Sequence, residues 1–262
     1  MAEKINKTIR GASLNRRQTP ITQHRFKLIT DARFVRNGLV NFYKDVVATS
    51  GKALIPDKEL TRPTDLISIW FSRRTEDEIN RKKVVHDKFS FLPRVYPTDP
   101  TQPDCVFKET DDAKPWLCLN GTVGNGKTTM LRAISELITN IHNADDGKYH
   151  AMAPFSHHYI TATDLADIFL ENKATYNGIR NTKLLLIDDV GREPKEIVDY
   201  GNTLYPFIDM MQYRYNNGLG TIFTTNLTGP QLRERYGERI ADRMRECCYF
   251  VEFRGNSFRP RQ

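Results

Sequence analysis

The chain has 262 residues, which is long enough for one substantial core and a smaller second domain. Hydrophobic residues make up 39% of the chain and charged residues 27%, a composition typical of a soluble globular protein. No apolar run approaches the length of a membrane span and the N-terminus lacks an apolar signal-peptide core, so we expect a cytoplasmic protein without a membrane partner. The four cysteines include no C-x-x-C pair, which argues against a zinc ribbon and does not indicate a disulfide framework.

The formal net charge of +7 is concentrated at the N-terminus. Residues 1–27 contain seven lysines and arginines and a single acid, Glu3, so this arm carries a charge of +6. Because the arm has few large apolar side chains, we predict that it stays disordered until it meets an acidic partner. A basic N-terminal arm is typical of nucleic-acid binding, and a solubilising tail is the alternative.

Residues 28–95 are predicted to form a small, mainly helical N-terminal domain. Apolar residues recur at helical spacing over residues 31–50. A second helical stretch is predicted from Thr64 through Phe71, and the charged segment 75–88 is compatible with its continuation.

The segment 96–112 is rich in proline, aspartate and threonine, which predicts a linker. In residues 113–262 predicted strands and helices alternate, which favours an α/β fold with a parallel sheet covered by helices on both faces. Thr163 or Asp164 is expected to cap the helix that follows the second strand. The predicted strands are 116–120, 158–162, 183–188, 221–225 and 249–253.

A complete phosphate-binding pattern, G-x-x-x-x-G-K-[ST], occupies residues 121–128. A short apolar strand precedes it and an amphipathic helix follows, and this context separates a phosphate loop from a chance match. Its backbone N–H groups and the following helix dipole attract an anion, whereas the alternative is a glycine-rich turn that binds nothing. Lys127 is predicted to reach the β- and γ-phosphates of ATP and to assist catalysis, and the Thr128 hydroxyl to hold Mg²⁺. The predicted nucleotide-binding residues of this loop are Gly121, Thr122, Val123, Gly124, Asn125, Gly126, Lys127, Thr128 and Thr129.

Two aspartates follow the apolar run 184–187, about sixty positions after the phosphate loop. A carboxylate at the carboxyl end of a neighbouring strand can hold the shell of Mg²⁺, and a second one can orient or deprotonate the attacking water. We assign Asp188 to the metal and Asp189 to the water, with an ordinary solvated turn as the alternative.

Polar and basic residues near the C-terminus offer further candidates. Asn226 ends a predicted strand, where its amide could bond the γ-phosphate or the attacking water, and simple turn chemistry is the alternative. Arg239 and Arg243 lie four positions apart and share one helix face. They fit either a solvated surface paired with neighbouring acids or an arginine finger that acts on a neighbouring subunit's nucleotide.

Five segments carry a family resemblance: 121–128, 184–191, 224–227, 235–243 and 251–259. Their order and spacing resemble those of the DnaC/IstB group of AAA+ ATPases, which includes helicase loaders and transposition helper ATPases. The resemblance covers about residues 110–260 and does not extend over residues 1–109.

The resemblance implies an AAA+ core without a separate C-terminal lid domain. It implies that Asn226 is the sensor-1 residue, that Arg243 is the arginine finger, and that Arg259 is a sensor-2-like residue that acts on the bound phosphates. Asp242 stands where many members of the group have a small residue, so an ion pair that holds Arg243 is a further possibility.

The resemblance also implies a homo-oligomer in which ATP bridges neighbouring subunits, together with a DNA partner and a protein client. In helicase loaders the N-terminal domain binds the replicative helicase and the ATPase domain binds single-stranded DNA. Residues 28–95 are accordingly expected to be the partner-binding domain, with Trp70 and Phe71 as candidate contacts and core packing as the alternative.

We therefore predict an ATP-binding and ATP-hydrolysing DNA replication protein that uses ATP and Mg²⁺, most similar to a DnaC-like helicase loader on single-stranded DNA. The main alternative is an IstB-like transposition helper that binds duplex DNA and recruits a transposase. A small-molecule P-loop kinase and a nucleotide-switched scaffold with negligible hydrolysis are lesser alternatives.

Overall fold

The computed structural model describes residues 32–50, 60–84, 114–143 and 157–254, and of the side chains in these ranges all but those of 73–84 and 141–143. The predicted basic arm 1–27, the predicted linker 96–112 and Arg259 lie outside the described residues. Within the described residues the helices are α1 Ala32–Thr49, α2 Thr61–Val84, α3 Lys127–Asn143, α4 Ala162–Glu171, α5 Lys173–Arg180, α6 Pro206–Asn216, α7 Gly229–Tyr236 and α8 Glu238–Cys247. The strands are β1 Trp116–Gly121, β2 His157–Thr161, β3 Leu184–Val190, β4 Ile197–Asp199, β5 Asn202–Leu204, β6 Gly220–Thr225 and β7 Cys248–Phe253.

Five strands form one parallel sheet in the order β2-β3-β6-β1-β7. The three central strands are almost continuously buried, as expected when helices cover both faces of a parallel sheet. The carboxyl ends of all five strands therefore meet at one edge of the sheet. The predicted α/β class with a parallel sheet flanked by helices is confirmed.

Alternate strand residues pack into two cores, one on each face of the sheet. On the first face, Leu117 and Leu119 of β1 pack with apolar residues of α1, α2 and α3. On the second face, Trp116 and Cys118 pack with apolar residues of α4 to α8. The described residues thus form three layers, with the sheet in the middle.

The two N-terminal helices belong to the first of these cores. Val35 and Leu39 of α1 are fully buried in it, and Gly38 lets α1 approach α3 so closely that an added Cβ would lie 2.7 Å from a methyl group of Leu137. Helix α2 reaches the edge strand β7. In the described residues α1 and α2 therefore share a core with the sheet, and the domain boundary at 96–112 stays a prediction.

The interpretation of Trp70 and Phe71 as client contacts is wrong. Both side chains are 3% exposed, and the Trp70 indole N–H donates to the carbonyl of Lys114 at 2.9 Å. The indole nitrogen thus finds a partner inside the core, which leaves neither ring available to a partner surface. Core packing, the alternative interpretation, is correct.

Two local features differ from the sequence prediction. Helix α4 is capped by Thr161, whose hydroxyl accepts from the backbone N–H of Asp164 at 3.0 Å, so neither Thr163 nor Asp164 is the cap. The β4–β5 hairpin was not predicted, because each of its strands has only three residues. None of the described helices is long and apolar enough to cross a membrane.

Candidate nucleotide site

The phosphate-loop sequence connects β1 to the first residue of α3, as predicted. Gly124 and Gly126 have φ values of 86° and 92°, a backbone conformation that side chains disfavour. At Gly121 an added Cβ would clash with the carbonyl oxygen of Phe253 and with the side chain of Asn125. The glycines are therefore required by this loop, and they allow it to lie directly against the end of β7.

Lys127 is buried at the loop. Its Nζ donates to the carbonyls of Gly121 and Thr122 at 2.8 and 2.6 Å, and to Oδ1 of Asn125 at 3.0 Å. The amide of Asn125, which is 1% exposed, in turn donates to the carbonyl of Phe253 at 2.6 Å. This network keeps a positive charge at the place where the phosphates are expected and ties the loop to β7.

Asp188 collects hydrogen bonds from four donors. Its Oδ1 accepts from the hydroxyls of Thr128 and Thr224 at 3.1 and 2.6 Å and from the backbone N–H of Asp189 at 3.1 Å. Its Oδ2 accepts from the Tyr159 hydroxyl at 2.9 Å. Burial and, next, the Asp188 charge raise the pKa of Tyr159 to about 12, so this hydroxyl stays a donor at neutral pH. The carboxylate is therefore fixed in place beside the phosphate loop.

Asp189 is turned out of the strand by a β-bulge. The pairing of β3 with β6 shifts between Ile187 and Val190, and Asp189 has a φ of 57°. Its backbone N–H bonds the Thr224 hydroxyl at 2.8 Å. Its carboxylate lies 3.3 Å from the guanidinium of Arg192 and is about one-third exposed. The bulge thus gives the two neighbouring carboxylates different surroundings. Asp188 is buried and fixed, whereas Asp189 is accessible.

Asn226 follows β6, which lies between β1 and β3, so it stands at the sheet edge that carries the phosphate loop. The chain is held on both sides of it: the Asn120 amide donates to the carbonyl of Leu227 at 2.7 Å, and the Thr225 hydroxyl donates to the carbonyl of Val190 at 2.8 Å. Within the described ranges the Asn226 amide itself has no hydrogen-bond partner. It is therefore positioned by its neighbours and open to a ligand.

Arg243 does not join the other predicted site residues. Its guanidinium lies 4.7 Å from the ring centre of Tyr215, and that ring packs edge-on against Trp116. Trp116 is the first residue of β1, whereas the phosphate loop begins at Gly121, the last residue of that strand, about 17 Å away. Arg243 therefore lies near the opposite end of β1 from the phosphate loop of its own chain.

The acid next to Arg243 does not hold it. Asp242 is ion-paired with Arg245, and Nη1 of Arg243 is buried without a hydrogen-bond partner in the described residues. The ion pair between Asp242 and Arg243 that the sequence suggested is thus absent from this part of the chain. Arg239, one helical turn earlier, is exposed.

ATP and Mg²⁺ fit the residues of this edge. The Thr128 hydroxyl donates a hydrogen bond to Asp188, which leaves the lone pairs of its oxygen for a cation. The described residues hold no group of three or more His, Cys, Asp and Glu side chains, so a metal here would take its other ligands from the phosphates and water. Thr128 and Asp188 would hold Mg²⁺, and Lys127 with the loop N–H groups would hold the phosphates.

Sequence reasoning missed three side chains at this site. Tyr159 lies in the middle of an edge strand, and nothing in its sequence context marks it as a partner of Asp188. Thr224 belongs to a segment that the family resemblance covers. Its hydroxyl accepts from the backbone N–H of Asp189 and donates to Asp188, and these two bonds at the bulge could not be predicted from the sequence. Arg192 lies three positions after Asp189, and this spacing would have predicted their ion pair if the turn between them had been known.

A phosphate-loop strand and a carboxylate strand lie in one parallel sheet, separated by one strand that Asn226 follows, and this arrangement defines a P-loop α/β fold. No family model and no curated relative match the chain. Several solved structures are similar to it. The DnaC helicase loader is 20% identical with a TM-score of 0.40, covering 70% of this chain and 90% of that one.

DnaI is 20% identical with a TM-score of 0.44, covering 82% of this chain and 93% of that one. AMPPCP-bound DnaA from Aquifex aeolicus is 24% identical with a TM-score of 0.37, covering 53% of this chain and 39% of that one.

Proposed function

We propose that the chain is a Mg²⁺-dependent ATPase of DNA replication that acts as a helicase loader on single-stranded DNA. The observation that carries this proposal is the arrangement at one sheet edge. A phosphate loop lies beside a buried carboxylate with four donors, Asp188, and an accessible carboxylate, Asp189, which the bulge turns outward. Fixed and accessible carboxylates suit metal placement and proton acceptance, respectively.

Each residue of this edge has a proposed task. When bound, ATP and Mg²⁺ supply the phosphoanhydride bond that is broken and the charge that polarises it. Lys127 would bind the phosphates, and Asp188 together with the Thr128 hydroxyl that donates to it would hold Mg²⁺. Asp189 accepts a proton from the attacking water, and the Asn226 amide orients that water or the γ-phosphate.

The position of Arg243 supports action between subunits. An arginine at the far end of β1 can neutralise transition-state charge only in the site of another copy. Such an interface is head-to-tail, so it generates a ring or an open helical assembly. Nucleotide would then lie between subunits, and hydrolysis would be linked to assembly and to the release of a client.

The test is the ATPase rate at increasing protein concentration, with and without single-stranded or duplex DNA, for the wild type and Arg243→Ala. We expect a rate per subunit that rises with concentration and with single-stranded DNA, and a loss of roughly a thousandfold in the variant. Arg245→Ala is the matched control, because Arg245 lies on the same helix but is exposed and pairs with Asp242. Arg239→Ala establishes which of the two arginines acts.

Other outcomes of this experiment favour one of the alternative functions. A rate per subunit that is independent of concentration, DNA and both arginines contradicts the assembled ATPase and favours the kinase or the nucleotide switch. Stimulation by duplex DNA rather than single-stranded DNA favours the transposition helper.

A further inference from the structure

Glu193 is a buried carboxylate that has no part in the proposed hydrolysis. It lies in the loop behind Asp189, and its side chain is 2% exposed. Its Oε2 accepts from the backbone N–H of Gly191 at 2.8 Å, and its Oε1 accepts from the Tyr236 hydroxyl and lies 3.5 Å from Nε of Arg235. The Arg235 guanidinium also donates to the Glu193 carbonyl.

These contacts join two distant parts of the chain. The partners of Glu193 on α7 are 42 and 43 positions away from it. The Tyr236 ring packs in addition against Phe207 at the start of α6, with ring centres 4.6 Å apart. Because a carboxylate leaves water only where its partners compensate for the lost hydration, this cluster fixes the loop against the end of α7.

The loop held by Glu193 also touches the nucleotide site. It follows β3, whose bulge presents Asp189, and an added Cβ on Gly191 in this loop would lie 2.7 Å from a methyl group of Leu227. Leu227 directly follows Asn226, so the same loop contacts the strand end that carries the predicted sensor.

On its other side the cluster is connected to α8. Helix α7 ends at Tyr236 and α8 begins at Glu238, with Gly237 in a left-handed conformation between them. Helix α8 carries Arg239 and Arg243. The contacts of Glu193 thus form a continuous connection from the loop after β3 to the helix that carries the arginines.

We propose that Glu193, together with Arg235 and Tyr236, is a positioning residue that couples nucleotide binding in one subunit to the placement of α8, which serves the next subunit. This inference rests on the proposed function for the role of the arginines. The coupling within one chain, from the phosphate loop to α8, requires only that the nucleotide binds.

Amide hydrogen exchange of the full chain, with and without Mg²⁺ and a non-hydrolysable ATP analogue, tests the coupling. In the wild type we expect the analogue to protect residues 121–129 and to change exchange in residues 229–247. Glu193→Gln should keep the first effect and lose the second. Its kcat should fall by about tenfold or more with a KM within about twofold, since misplacement of a catalytic group affects the reaction step more than binding.

Two further variants make the result decisive. Glu196→Gln, three positions later and exposed, is the matched control and should behave as the wild type. Tyr236→Phe keeps the ring on Phe207 and removes one donor to Glu193, so it should also uncouple residues 229–247 if Glu193→Gln does not fold.

Unchanged coupling in a folded variant of Glu193 or Tyr236, or no response of residues 229–247 in the wild type, overturns the inference. No protection of residues 121–129 in the wild type overturns the nucleotide site and the coupling together. If Glu193→Gln loses the response of residues 229–247 while Arg243→Ala hydrolyses ATP normally, the inferred coupling within one chain stands and the action between subunits is contradicted.

Discussion

One extra residue in β3 decides what Asp189 can do. In a regular strand, neighbouring side chains point to opposite faces, and one of two adjacent aspartates would enter the core. The bulge gives Asp189 a φ of 57°, a conformation that aspartate adopts more readily than most residues. Residues held in such regions cost on the order of 1–3 kcal/mol, so the surrounding contacts must fix them. Here Thr224 and Asp188 do so by accepting the backbone N–H of Asp189.

Asp189→Asn should abolish hydrolysis and preserve binding. Asparagine tolerates the same backbone conformation but cannot accept a proton, so we expect kcat to fall by about 10²- to 10⁴-fold. The lost ion pair with Arg192 is partly exposed and contributes at most about 1 kcal/mol, so the melting temperature should change little. Steady-state kinetics, nucleotide titration and thermal unfolding measure the three quantities. Asp167→Asn, exposed on α4, is the control, and an unchanged kcat for Asp189→Asn would remove its catalytic role.

Among the elements, α1 has the most unexpected place. The sequence pattern predicts an amphipathic helix over residues 31–50, and the structure has it at Ala32–Thr49. Its apolar face does not meet a separate N-terminal core, because it packs beside α3 on the sheet. Helical periodicity identifies which face is apolar, but it contains no information about the surface that the face will cover.

Leu39→Ala should destabilise α1 and the sheet together. Leu39 is fully buried in the core shared with β1 and α3, and such truncations cost about 2–5 kcal/mol. We expect one cooperative transition at a lower temperature by calorimetry, with the nucleotide analogue raising it in both wild type and variant. Asn41→Ala, exposed on the same helix, should stay near the wild type. Two separate transitions in the wild type would show that α1 unfolds independently.

The elements also show how far sequence reasoning reaches. The five sheet strands were predicted because short segments of strand character alternate with helical segments, and the apolar run that opens β3 is typical of a central parallel strand. The phosphate loop and Asp188 were placed because their chemistry depends on residue type and order. Three features could not be predicted from local sequence: the bulge, the bond from Tyr159 to Asp188 and the Glu193 cluster. Each depends on side chains that meet across the sheet or from distant helices.

At the scale of the whole molecule, the proposed site and the proposed arginine lie near opposite ends of β1. If Arg243 acts on another copy as proposed, each copy would offer a nucleotide site at one end and a guanidinium at the other. Repetition of one head-to-tail contact would then account for an assembly without any further binding surface. In such an assembly on DNA, the basic arms of all the subunits would lie along one DNA strand.

The basic arm should set the salt dependence of DNA binding. Replacing the seven lysines and arginines of residues 1–27 by glutamine removes seven positive charges and keeps the length. If all of them neutralise phosphates of single-stranded DNA, the slope of log K against log salt should flatten by about five. Fluorescence anisotropy at several salt concentrations measures the slope, and an arm of scrambled order with its charges kept is the control, which should retain the wild-type slope. An unchanged slope and affinity in the glutamine variant would mean that the arm does not contact the DNA. Residues 28–262 would then carry the binding.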